Sequence, residues 1–141
     1  MQTFLPYPDF LASAQVLDKR RCIKQVVEAA QILRCLRSGN PKAGWRNHPA
    51  VRMWRGYEQS LTDYYNVFFW TCVLCHGVRY SRLSPEHTDG VGVLPPWIGN
   101  DSFHASHRSN LLRKDPVWYG QFGWLEPAAL PYVWPVAKEQ T

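Results

Sequence analysis

This chain has little of what would place it in a membrane or around a structural metal. Four cysteines occur in 141 residues. Cys22, Cys35, Cys72 and Cys75 sit in helix-like apolar sequence and read as buried thiols of a reducing compartment. Cys72-x-x-Cys75-His76 supplies half of a zinc site. No second Cys/His pair stands at finger-like spacing, so neither a metal nor another cofactor is expected. The longest apolar run, Val67 to Cys75, is interrupted by Thr71 and is far too short to span a bilayer. No basic stretch followed by an apolar one opens the chain, so no secretory signal is read. A cytoplasmic or nucleoid-associated protein without membrane contact is the expectation. Internal repeats, heptads and low-complexity tracts are missing, and strand signals are few.

What the chain has instead is aromatic residues and positive charge. Seven Trp, seven Tyr and six Phe exceed what a small core needs, so some should line a groove or pocket. The net charge of +5 favours a polyanionic partner. The length fits one domain over residues 1–141, and the periodicity predicts an all-α, compact helical bundle with long irregular loops, a monomer.

A short helix is expected over Asp9 to Leu17, with Phe10, Leu11, Ala14 and Leu17 on one side. Asp18 caps a longer one that runs to Gly39-Asn40-Pro41, its apolar face formed by Ile23, Val26, Val27, Ala30 and Leu33. Pro49 opens a short helix to Trp54. Tyr57 to about Cys75 is the most apolar helix, with Leu61, Tyr64, Tyr65, Phe68, Cys72 and Cys75 as candidate core. Arg79 to Asn100 is a loop of a length that is usually functional or mobile. Asp101 should cap a helix carrying His104, ended by Pro116, and the tail from Tyr119 reads as irregular.

Three constellations could carry chemistry. On the second helix, at about 100° per residue, Arg21, Lys24, Gln25 and Glu28 fall in one arc opposite Ile23, Val26 and Ala30. A carboxylate set among cations and an amide can stabilise positive charge developing on a sugar; it can equally be a plain Lys24–Glu28 pair. Gly44 to Glu58 interleaves Arg46, Arg52 and Arg55 with Trp45, Trp54 and Tyr57, beside Asn47-His48. Guanidinium groups grip phosphates and aromatic faces stack on bases. Phe103 to Tyr119 places His104, His107 and Arg108 on one helical stripe, followed by Arg113-Lys114, while Leu111 and Leu112 turn towards the core. Such a stripe suits phosphate contact.

The opening MQTFLPYPDFLASAQVLDKRR, the KQ-x-x-EA-x-QIL stretch, GWRNHPAVRMW-x-GYE and LPPW…FH-x-SHRS-x-LLRKDP-x-WY together resemble the pyrimidine-dimer DNA glycosylases of the phage endonuclease V type, in particular their bacterial branch. The resemblance implies a compact all-α domain that binds duplex DNA, flips a nucleotide and cleaves a glycosidic bond. In that family the nucleophile is the N-terminal α-amine, assisted by a glutamate on the second helix. An α-amine titrates at about 8, well below a lysine, and so is partly neutral at physiological pH. Residue 2 here is Gln, whose bulk hinders removal of Met1, so the amine would be that of Met1 or of Gln2. Gln25 aligns with the family's glutamate, and Glu28, one turn on, is the nearest acid.

The expected function is therefore a DNA repair glycosylase acting on damaged or modified bases in duplex DNA, with abasic-site lyase activity as an option. Met1 or Gln2 supplies the amine, Glu28 stabilises the cationic sugar, and His48, His104 and His107 are candidate general acids. Arg20, Arg21, Lys24, Arg46, Arg52, Arg108, Arg113 and Lys114 would clamp phosphates, with Gln25 beside them, and Trp45 or Trp54 would enter the base stack. Two other classes remain open: a non-catalytic nucleic-acid-binding module, and an enzyme acting on a small nucleotide or nucleoside.

Overall fold

The computed structural model describes residues 1–40 and 44–136, and its regular structure is helical throughout. The elements are α1 (Phe10–Val16), α2 (Lys19–Ser38), α3 (Pro49–Arg52), α4 (Glu58–His76), α5 (Asp101–Lys114) and α6 (Pro116–Tyr119), with a 3-10 turn at Gly120–Phe122. No strand occurs among the described residues, so the all-α expectation holds. Residues 41–43, with the helix-ending Pro41 among them, and residues 137–141 lie outside the described residues.

Local chemistry sets most boundaries. The Asp9 and Asp18 carboxylates accept from the amides of Ala12 and Arg21 and start α1 and α2. Gly39 ends α2 at φ 62, a backbone conformation that costs glycine nothing. Pro49 occupies the first position of α3, where its missing N–H is no loss. The cap of α5 is Asn100, not Asp101: the Asn100 side chain accepts from Phe103 N–H, and Asp101 begins the helix. Pro116 does not simply terminate α5. It opens α6, whose Tyr119 is buried and donates its hydroxyl to the Asp18 carboxylate.

The long helices α2 and α4 form the centre, with α1 against α4. Cys22, Val26, Ala29, Ile32 and Leu33 of α2 meet Leu61, Tyr64, Phe68 and Cys72 of α4 in the main core. The buried arc of α2 is rotated from the expected one. Val27 is exposed, and Gln25 and Glu28 are buried, because a segment of chain covers that side of the helix. Leu11 and Cys75 are exposed as well, one on the outer face of α1 and the other in the last turn of α4.

Two irregular segments complete the molecule. Residues 1–8 run between α2 and α5. Residues 77–100 pass over α4 and are laced to it: Tyr65 donates to Ser84 O, and the Asn66 amide pairs with both backbone groups of Glu86. Further along, Asp63 accepts from Gly92 N–H, where the loop lies so close that a Cβ on Gly92 would stand 2.5 Å from Ser60 N.

Candidate active site

An N-terminal segment without regular structure has backbone groups that need partners once buried. Here side chains supply them. The Gln2 N–H donates to Glu28 Oε2 at 3.0 Å, and the Phe4 N–H donates to Gln25 Oε1 at 2.8 Å. Tyr64 on α4 donates its hydroxyl to Phe4 O at 3.0 Å and shares it with Gln25 Oε1. Trp54 donates its indole N–H to Thr3 Oγ1 at 3.1 Å. From the other side, His107 Nδ1 accepts from Leu5 N–H, and His104 Nδ1 lies 2.8 Å from Leu5 O. Arg108 donates to Pro6 O at 2.7 Å.

Glu28 is therefore enclosed, at 8% exposure, beside a residue 2 that is 6% exposed. Its other oxygen lies 3.8 Å from Lys24 Nζ, whose side chain is largely in solvent. Such a pair contributes little stability, well under about 1 kcal/mol. His48 stands close to the same spot. Its Nδ1 accepts from Ala50 N–H and caps α3, which leaves Nε2 to act elsewhere. Burial pushes the His48 pKa down, the N-terminal amine pushes it further, and Glu28 pulls against both. The ring also packs edge-on against Trp45 and Trp134, with centroids 5.6 and 5.9 Å away.

Of the expected phosphate-binding residues, Arg20, Arg21, Lys24 and Lys114 come together with Phe4 around one cavity of about 240 Å³. Burial lowers the Lys114 pKa, and the charges of Arg21, Lys24 and Arg113 lower it further. Along the same side of α2, one turn past Glu28, Gln31 borders a second cleft together with Arg34 and Trp45, which is 53% exposed. Glu28 thus sits between a cationic cavity and an aromatic-edged cleft. Arg46 lines a third cavity, with Arg55, at the C-terminal end of α2, so it does not join the Lys114 group. Arg52 lies in the last turn of α3.

Several expectations change. Gln25 and Glu28 do not face away from the core; they are buried beneath residues 1–5. Trp54 is fully buried and packed on Trp97, so of the two tryptophans only Trp45 is placed to reach a base stack. The stripe of His104, His107 and Arg108 exists, but it faces the N-terminal segment rather than solvent. Arg108 is also held by Glu126 at 2.6 Å, and Arg113 is hydrogen-bonded to Asn110 on its own helix. Tyr132 and Trp134 at the site margin were missed, although the excess of aromatics was their signal. No cluster able to hold a metal occurs among the described residues.

With the amide of residue 2 on the α2 carboxylate, the geometry can be set beside known proteins. Residues 1–69 match the family model described as pyrimidine dimer DNA glycosylase. The match spans the N-terminal segment, α2, α3 and most of α4, and so includes Gln2, Gln25, Glu28 and His48. It stops short of α5 and its histidines. The glycosylase resemblance read from the sequence holds over this segment. No curated protein and no solved structure matches the chain.

Proposed function

We propose that the protein is a pyrimidine-dimer-type DNA glycosylase that works through an amine nucleophile at its N-terminal segment on duplex DNA. The observation that carries this reading is the 3.0 Å contact between Gln2 N and Glu28 Oε2. Loss of Met1 would turn that N–H donor into a primary amine already in contact with a buried carboxylate. With Met1 retained, the amine is the one that acts on His48.

In the proposed reaction the amine nitrogen bonds to the sugar C1′ as the bond from C1′ to the base breaks. Positive charge builds on the sugar in this step, and Glu28 stabilises it. The departing base takes up a proton, and His48, whose Nε2 is not used in capping α3, is placed to manage protons at this end of the site. Opening of the C1′–O4′ bond with loss of the amine proton leaves an imine, from which β-elimination would cleave the strand. Arg20, Arg21, Lys24 and Lys114 hold phosphates, and Trp45 borders the neighbouring cleft, where a base could stack.

The test is borohydride trapping on ultraviolet-irradiated duplex, with the mass of the purified N-terminus measured alongside. A trapped adduct through residue 1 or 2 is expected. In Glu28→Gln, fold and DNA affinity should persist while cleavage falls on the order of a hundredfold or more, as loss of one electrostatic stabiliser commonly does. Wild-type cleavage rates in Glu28→Gln would reduce Glu28 to the partner of Lys24. Duplex binding without cleavage or adduct would favour a non-catalytic module.

A further inference from the structure

We propose that His104 and His107 are positioning residues: they set the register of the N-terminal segment on α5 so that residue 2 lies on Glu28. This inference rests on the amine reading of the site and extends it to a half of the chain that the glycosylase family match does not reach.

The two imidazoles take both backbone groups of one residue. His107 Nδ1 accepts from Leu5 N–H at 2.8 Å. His104 Nε2 accepts from Gly99 N–H at 2.9 Å, so the His104 proton sits on Nδ1, where it is donated to Leu5 O at 2.8 Å. Each histidine is held in one tautomer by an amide it cannot release cheaply. For His107 the proton is left on Nε2, which is buried and has no hydrogen-bond partner. The His107 ring is enclosed by Phe4, Phe103 and Tyr132. A group so placed has no route for passing a proton to a substrate, so neither ring is arranged as a general acid.

What the pair does accomplish is geometric. Leu5 is fixed to α5, Phe4 to Gln25 and Tyr64, and Thr3 to Trp54; residue 2 then has one place to go. Arg108, one residue beyond His107, adds the hold on Pro6 O and completes a continuous grip on residues 5 and 6. Attack at C1′ needs the nucleophile held near its contact geometry, and displacement by about 1 Å can cost a hundredfold in rate.

Asparagine can imitate each contact with its short amide: Oδ1 for the acceptor of His107, Nδ2 for the donor of His104. The experiment compares His107→Ala, His107→Asn, His104→Ala and His104→Asn in the intact protein. Amide hydrogen exchange at residues 2–5 is read with single-turnover cleavage, DNA affinity and the pH–rate profile. The alanine variants should exchange at least about tenfold faster at Phe4 and Leu5 and cleave about a hundredfold more slowly at unchanged affinity. The asparagine variants should restore both, with the shape of the pH profile kept. Unchanged exchange in the alanine variants would overturn the proposal. So would a lost limb of the pH profile that asparagine fails to rescue, since that is the behaviour of an acid or base. If the alanine variants do not fold, the asparagine pair decides alone: protected amides with near-normal cleavage support the proposal, and loss of either overturns it. An inactive wild type would remove the proposed function, while exchange would still show whether the histidines hold the segment.

Discussion

Residues 1–8 and residues 77–100 are both irregular, both lie across helices, and both have their backbone groups paired by side chains, yet they are held in different ways. The first is enclosed: Thr3 and Leu5 are fully buried, and its partners Gln25, Tyr64, His104 and His107 are buried too. The second is laced to the surface by a few contacts and leaves Val91 and Val93 almost wholly in solvent. Water can replace a lost partner in the second segment. In the first, every lost partner strands a buried polar group. The segment that carries the proposed chemistry is therefore the one built with no slack, and the loop whose length suggested function is the tolerant one.

That contrast can be broken in stages. The largest stability effect should come from Trp54→Ala, which empties the core beneath Thr3 and removes its indole partner; about 3–5 kcal/mol should be lost in a denaturant titration. Acid should open the enclosed segment next. Burial, with the neighbouring His104 adding to it, holds the His107 pKa down at about 3, against 6.5 for an ordinary histidine. Above pH 6.5 this costs nothing. As pH falls from there towards 3, the unfolded chain binds a proton that the folded one refuses, and stability should drop by about 1.4 kcal/mol per pH unit. Thermal melts across that window should show the slope, and His107→Asn should flatten it. The smallest effect belongs to the laced loop. Gly92→Ala forces a Cβ against the Ser60 backbone and should cost about 1–3 kcal/mol, with exchange rising over residues 77–100 and not over residues 2–5. Exchange that rose equally in both segments would show that they open together.

The helices were legible in the sequence because their signals are local. Asp9, Asp18, Gly39 and Pro49 mark their own boundaries through contacts spanning a few residues. The site was less legible because its contacts are not local: Leu5 and His107 are separated by 102 positions. The helical wheel treated Gln25 and Glu28 as solvent-facing because polar side chains usually are. Here the amides of Gln2 and Phe4 bond to Glu28 Oε2 and Gln25 Oε1, which offsets much of the cost of burying them, although Gln25 Nε2 is left without a partner. The same blindness turned the histidine stripe outward. Periodicity showed that His104, His107 and Arg108 share a face, and only the fold shows what that face meets.

The way the N-terminal segment alternates between its neighbours amounts to a counting rule. The amides of Gln2 and Phe4 point to α2, whereas that of Leu5 points to α5. One residue inserted between Gln2 and Leu5 would exchange the two directions and turn the residue 2 nitrogen away from Glu28, even with every helix intact. Two inserted residues would restore the direction but leave about 6.6 Å of surplus chain with nowhere to lie. Parity and length are thus both fixed over these few positions, and a change in number should be tolerated less well there than a change in residue type.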